Sequence, residues 1–578
     1  MKISKKVAGT ACITAMLAGA AFAQEDFGGF EGGDFGTFEE ESSTPTLTWN
    51  GEAGVDGRMW LDTENGYDKA NDVANSATEA DAYLKLEMNY SGENTDLNGK
   101  IKLDSASIKD NPEDVIDEFT ARGYFGNWQI EAGKMKTVWG KGDKLHVLDN
   151  FNANDYTDFI FPEYIDRRIA EPMVKIAWVP SYAGDLVSNI KVEGVYPPMM
   201  TADRFATSGQ LVPYTQTALT SSVEAIAKTN LASLVKDLEE ARLEAARAQA
   251  LKDAGNTAEL TPIVREAATS GKITVDATKV GALIQQGYTQ EQATAAVGAA
   301  AYEEYLTDNL TEKNTAYLTA LTSASSLDAS KFYADTHNIR YGQAGLRVTG
   351  TVGSFDLGAS YYYGHYKQPT VNASKIPTTL AKVLSGAEIT DDDKFIDYDE
   401  LQVFGLEAAF LVWKFNTRWE FAYNLTRDFD GTNPYIKNNS IAWVGGFDMD
   451  LPIHNVNINI QETGKFILKN DEVDKLGAGD TDFNSDGKYT NNQLVINISD
   501  KWLNEKLTTE CTTIYGIECK EWCVQPKVSY NVVDGLTFTA RGAYIYADNA
   551  NGQFYNFTAE NTKHHRKAFV QLSAKYQF

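Results

Sequence analysis

The stretch AFVQLSAKYQF, Ala568 to Phe578, closes the chain and decides how the rest is read. Ala568, Val570, Leu572, Ala574, Tyr576 and Phe578 fall on one face, and Gln571, Ser573, Lys575 and Gln577 fall on the other. Side chains that alternate with a period of two mark a β-strand. The edge of a soluble sheet alternates in the same way, so the stretch has to be weighed with what precedes it.

An apolar/polar split that runs out on an aromatic residue resembles the final strand of a bacterial outer-membrane β-barrel. The resemblance implies that Tyr576 and Phe578 carry the signal read by the barrel-assembly machinery. The other end of the chain agrees. Residues 1–23 have a basic start (Lys2, Lys5, Lys6), an apolar stretch from Val7 and small residues at Ala21 and Ala23, the pattern of a cleaved secretory signal peptide. Losing those three lysines would take the formal charge from −28 to −31.

Composition then narrows the destination. No apolar run in the mature part approaches the roughly 18 residues of a spanning helix. The 29 Tyr, 27 Phe, 10 Trp and 45 Gly suit a barrel with aromatic girdles and tight turns. Strong acidity excludes nucleic acid and an anionic membrane surface as partners. Cys511, Cys519 and Cys523 are an odd set, for which one disulfide and one free thiol bracing a loop is the simplest expectation.

Residues 24–45 are acidic, rich in Gly and Phe and poor in aliphatics, so they read as a disordered periplasmic leader. From Thr46 the two-residue period recurs. Leu47, Trp49, Ala53, Val55, Met59 and Leu61 oppose Glu52, Asp56 and Arg58. Leu84, Leu86 and Met88 oppose Lys85 and Glu87; Ile101 and Leu103 oppose Lys100 and Lys102. Trp419, Phe421 and Tyr423 oppose Arg418 and Glu420, and Phe538 and Ala540 oppose Arg541. Charges in mid-strand opposite aromatics are comfortable where one face meets lipid and the other a water-filled lumen. Short turns near 94–98, 126–127, 183–185, 353–354, 412–413, 451–455 and 533–535 alternate with long loops. The expected fold is an all-β transmembrane barrel over 46–578, antiparallel and up-and-down, with about 18 strands (16 to 18) and periplasmic termini.

One segment, 221–326, turns helical. Ser221 with Glu224 makes a capping box, and Gly255 is a stop. Ala227, Leu231, Leu234, Leu238, Ala241, Ala245 and Ala248 form a seam for close helix packing. Thr261-Pro262 and Thr289 with Gln292 start further helices, so a hairpin or small bundle is inserted in one barrel loop, outside the cell or folded over the pore.

The densest polar segment is 133–173. It passes Trp139-Gly140-Lys141-Gly142-Asp143, then Asp149, Asp155 and Asp158, and reaches Arg167 and Arg168. With Tyr196-Pro197-Pro198 after the next hairpin, it resembles a porin-like family of outer-membrane barrels whose long loop begins on Trp-Gly-basic-x-Asp. Facing carboxylates and guanidiniums in such a loop would form a pore constriction; a surface loop pinned by Asp and Asn turns is the alternative. Asp480, Asp482, Asn484 and Asp486, followed by Gly487, have calcium-loop spacing, but Gln493 stands where a bidentate Glu belongs, so a structural Ca²⁺ competes with a plain acidic turn. Six histidines and no His-Glu-x-x-His or Gly-x-Ser-x-Gly give no catalytic constellation.

The expected function is a non-enzymatic outer-membrane channel for passive diffusion of small polar solutes, favouring cations. Its lumen would be lined by Glu52, Asp56, Arg58, Lys85, Glu87, Lys100, Lys102, Arg418, Glu420 and Arg541. No resident cofactor is expected beyond that Ca²⁺; a homo-oligomer stays open. The rival is a surface adhesin or structural protein in which the barrel anchors the helical insert.

Overall fold

A computed structural model describes the chain from residue 45 onward, apart from 62–77, 159, 182–183, 185, 207–210, 212–213, 326–328, 485 and 556–566. The signal-peptide and leader readings therefore lie outside the described residues.

Eighteen strands form one sheet that closes on itself. Thr46–Leu61 pairs with Thr78–Ser91 on one side and with Ala568–Gln577 on the other, so the first and last strands seal the wall. Each consecutive pair along the circuit is antiparallel, for example Trp128–Met135 with Glu171–Trp178, Phe415–Leu425 with Ser440–Asp450, and Asn457–Ile467 with Thr490–Trp502. A closed barrel leaves no unpaired edge, which is what allows strands to stand in lipid.

The alternation sorts the side chains as expected. In the last strand Val570, Leu572 and Tyr576 are exposed on the outside, whereas Phe569 and Gln571 are buried inside. Trp49, Val55, Phe119, Ile176, Leu346, Phe404, Leu406, Phe421 and Phe538 continue the apolar exterior around the wall. Aromatic pairs gather at the short-turn end: Trp128–Trp178 at 6.5 Å, Phe355–Phe410 at 5.1 Å and Phe415–Phe447 at 5.0 Å. This is an interfacial girdle. The short turns near 126–127, 353–354, 412–413, 451–455 and 533–535 fall within a residue or so of where the sequence puts them. The one expected at 94–98 lies at 92–94, because Thr95 already opens a strand. The one at 183–185 lies mostly outside the described residues, and one more stands at 503–506 between Thr490–Trp502 and Leu507–Gly516. At the opposite end, the connections 104–115 and 517–520 are also additional; 517–520 carries no turn signal, whereas 104–115 holds Asp110-Asn111-Pro112 and a helix capped by Asp104.

The inside is less polar than alternation suggests. Trp60, Val444, Val495, Ile514, Ile545 and Phe569 point inward and form a buried cluster with Leu145, Tyr156, Ile160 and Phe161 of the long loop. Wall side chains that would be unfavourable in a water-filled lumen are satisfied because the loop comes to them.

The cysteines depart from the expected disulfide. All three are free. Cys523 points into the barrel, buried, while Cys511 lies on the neighbouring strand opposite Pro526 on the outer face. Strand parity puts the two thiols on opposite sides of the wall. Unfolding the mature chain without reductant should therefore release three titratable thiols, and a thiol assay finding one would overturn this arrangement.

The helical unit comprises residues 219–332 and, from a separate loop, 373–395. Tyr214–Asp253, Thr257–Thr269, Ala277–Gln285, Gln290–Ser325 and Ile376–Leu384 are its helices. The first begins before Ser221, which corrects the capping-box start. The second is capped by Asn256 and carries Pro262 inside rather than at its start. The predicted seam is the packed face: Ala227, Leu238, Ala241 and Ala248 are buried. Thr289 and Gln292 exchange the two bonds of a capping box, at 3.1 and 3.2 Å. Leu384 joins Ala320 and Ala324, so a second loop contributes to a unit that the sequence places in one. No described helix is long and apolar enough to cross a membrane.

Candidate functional site

The connection between Met135 and Glu171 does not project from the barrel; it folds into it. Its own short strands, Ala153–Tyr156 and Arg168–Ile169, pair with each other, and Arg204–Phe205 adds a third to this inner sheet. Backbone pairing of this kind satisfies amides that have left the wall and would otherwise be buried unpaired.

The wall holds the loop from several sides. On the strand Phe415–Leu425, Glu420 accepts hydrogen bonds from the backbone N–H groups of Gly142 (2.8 Å), Val147 (2.8 Å) and Leu148 (3.2 Å). The His146 Nδ1 stands 3.0 Å from the same carboxylate. Hydrogen bonds to a buried charge contribute about 1.5–3 kcal/mol each. Beside it, Arg418 pairs with Asp143, which also accepts from Asn459 Nδ2 at 3.0 Å. Gln461 Oε1 accepts from the amides of Lys144 (3.0 Å) and Leu145 (3.1 Å).

Across the lumen, Arg58 pairs with Asp158 and lies over the Phe161 ring at 5.0 Å, and Arg541 covers that ring at 4.4 Å. Phe161 thus meets two guanidiniums, cation–π contacts strengthened by burial. Lys85 reaches Asp166 at 3.2 Å. Trp139 Nε1 donates to Glu193 at 2.9 Å, and Arg347 lies 6.0 Å over the same indole while pairing with Glu407 at 2.6 Å.

The Trp-Gly-Lys-Gly-Asp segment has a geometric purpose. Gly140 has a φ of +114°, and a Cβ there would stand 2.1 Å from Glu420 Oε1. A Cβ on Gly142 would meet the Leu145 carbonyl oxygen at 2.0 Å. Only residues without a side chain let the backbone wrap around the carboxylate this closely.

The sequence-predicted residues divide accordingly. Asp143, Asp158, Arg58, Arg418, Glu420 and Arg541 come together across the loop–wall contact, and Lys85 joins them through Asp166. Glu420 and Arg58, read as facing water, are enclosed by the loop instead, at 2% and 8% exposure. Arg168 and Asp149 pair within the loop at 2.7 Å. Asp155 binds Arg204 at 3.0 Å. Arg167 is buried, which lowers its guanidinium to about 10. Lys100 and Lys102 bind Glu118 (3.1 Å) and Asp104 (3.0 Å), and Glu87 accepts from Asn98, all away from the loop. His146, Gln461, Glu193 and Arg347 were missed. His146 is one of few histidines, but nothing in one sequence ties it to a carboxylate 274 positions away.

The acidic motif opens in two directions. The Asp482 carboxylate accepts from the Asn438 amide at 2.6 Å and Asp480 from the Asp482 amide at 2.8 Å, whereas Asp486 and Asn484 take Asn549 and Asn551 as partners. Among the described residues no group of three or more His, Cys, Asp or Glu is arranged to hold a metal.

Two spaces flank the loop contact. One, of about 250 Å³, is lined by Arg168, Lys367, Lys437, Tyr164, Asn491 and Gln493 among others. The second, of about 170 Å³, is lined by Arg122, Lys175, Lys191, Glu131, Glu193 and Arg347. Burial lowers both Lys367 and Lys437 to about 8, against the carboxylates Glu171 and Asp482 that would raise them.

No family model matches the chain, and no curated protein matches it either. Among solved structures it is similar to OccK11 (OpdR) of Pseudomonas aeruginosa at 9% identity and a TM-score of 0.37, covering 92% of this chain and 96% of that one. It is also similar to OccAB3 of Acinetobacter baumannii (10%, TM-score 0.38, 92% and 99%). A BenF-like porin from Pseudomonas fluorescens Pf-5 gives 8%, 0.39, and 92% and 98%. With a sealed wall of 18 antiparallel strands, an apolar exterior and a long loop folded into the interior, the chain has the fold of a transmembrane β-barrel.

Proposed function

We propose that the chain is a channel for passive diffusion of small polar solutes, narrowed by residues 136–170 and favouring cations. The carrying observation is the loop pinned across the lumen between Glu420 on one side and Arg58 with Arg541 on the other. A barrel of about 16 to 18 strands encloses more space than its own side chains fill, so a folded-in loop sets the passage. Wall and loop charges mostly pair off, and the cation preference is assigned to the acidic chain as a whole, with its formal charge of −28.

Single-channel recording of the refolded chain under a salt gradient tests this. The reversal potential should favour cations, and more strongly above about pH 8, because Lys367 and Lys437 lose positive charge as pH rises through their lowered pKa values. Anion preference, or a silent folded barrel, would refute the reading. Tyr576 and Phe578 are assigned to assembly. Phe578 pairs through its backbone with Gly51, at 2.8 and 2.9 Å, and leaves its ring exposed.

The adhesin reading keeps one observation of its own. The helical unit has separate apolar cores, one built on Val264, Ala267, Tyr302 and Leu306. Deleting 221–326 should change surface binding without changing conductance if that reading holds.

A further inference from the structure

We infer that Glu420 is a latch, the positioning residue that keeps 139–148 across the lumen, and that His146 sets how firmly the latch closes. Its effect on current rests on the channel reading above; its effect on the loop does not.

The Glu420 side chain has no exposure to solvent, and its two oxygens meet three loop amides and one imidazole. Those donors come from a backbone turn that Gly140 and Gly142 allow to wrap the carboxylate. Remove the carboxylate, and three buried N–H groups lose their acceptor together. Such groups recover hydration by leaving the wall, and they take the loop with them. Apolar anchors of the loop, Leu145 and Phe161 in one cluster and Trp139, Leu148 and Phe151 with Ala422 of the same strand in another, offer these amides no acceptor and so do not replace the carboxylate.

The groups facing the imidazole are the carboxylates of Glu420, Asp149 and Asp143, the Arg168 guanidinium, and the Tyr164 ring at 4.6 Å. Burial alone would lower the His146 pKa, but the charge and hydrogen bond of Glu420, together with the Asp149 carboxylate, raise it above the ordinary value. A raised pKa means that the charged half of the latch is complete below about pH 6.5 and is lost as pH rises through the raised value. The latch is therefore tight at mildly acidic pH and slackens on the alkaline side.

Hydrogen exchange on the full chain refolded in detergent, followed by mass spectrometry of peptides covering 140–149, reads the latch directly. Glu420→Ala should speed exchange there on the order of 10- to 100-fold, while the neighbouring strands 440–450 and 457–467 stay protected. Gly142→Ala should do the same from the loop side without altering the wall, and it decides the matter if Glu420→Ala does not fold. In the wild type, exchange corrected for its intrinsic pH dependence should rise above neutral pH, and His146→Gln should flatten that rise. Single-channel traces of Glu420→Ala should show added flicker. Unchanged protection in both latch variants, or a wild-type pH profile identical to that of His146→Gln, would overturn the proposal. A silent barrel that still shows the exchange effects would refute the channel reading and leave the latch standing.

Discussion

Replacing residues 138–168 by a short Gly/Ser bridge is expected to raise single-channel conductance several-fold and leave a folded, heat-modifiable barrel. Met135 and Glu171 are directly paired neighbours, so a bridge of a few residues rejoins the strands without disturbing their register. The excision removes the Leu145–Phe161 side of one buried cluster and the Trp139, Leu148 and Phe151 side of another. Charges now enclosed by the loop, Glu420, Glu193, Arg58 and Arg541 among them, would return to water, which offsets their lost partners. The ladder of the closed wall is untouched, and the barrel's standing in lipid depends on that ladder. Conductance unchanged from wild type would mean that the passage is set elsewhere, and the loop would lose its place in the functional reading.

The second large effect concerns the outside. Leu572, 63% exposed on the last strand, is placed against lipid. Leu572→Arg should cost about 2–4 kcal/mol of folding stability in vesicles if this position lies near the bilayer midplane. Its neighbour Ser573 faces inward opposite Asp56, where a lysine would meet a carboxylate rather than lipid, so Ser573→Lys should cost less than Leu572→Arg. Denaturant titration of the two variants in vesicles makes the comparison. Equal costs would mean that the strand's faces are not divided between lipid and lumen.

Much of this architecture could be read from the sequence because strand alternation is local. A residue's face follows from counting by two, and Val570, Leu572 and Tyr576 came out on the exposed face for that reason. Turn signals such as Val533-Asp534-Gly535 and the helical seam from Ala227 to Ala248 are equally local. The connection 517–520 lacks such a signal and was invisible; 104–115 carries one in Asn111-Pro112, set between two strands whose alternation does not itself mark the break. Inward apolar residues such as Trp60 and Phe569 interrupt the polar face, and no periodicity explains them until the loop is seen to pack on them.

The site was legible only as a list. Asp143, Asp158, Arg58, Arg418, Glu420 and Arg541 could be named as loop or wall charges, but not which would meet. Pairing Glu420 with Gly142 spans 278 positions, and Arg58 with Asp158 spans 100. By itself the sequence determined the strand faces, the turn positions, the helical seam and the excess of negative charge, because each depends on near neighbours or on composition. Only the tertiary structure decided that the long loop enters the lumen, that the glycines beside Trp139 make room for a wall carboxylate, and that Cys511 and Cys523 face opposite ways. Each of these depends on where a closed wall brings distant residues, and burial then sets which donors and charges must find one another.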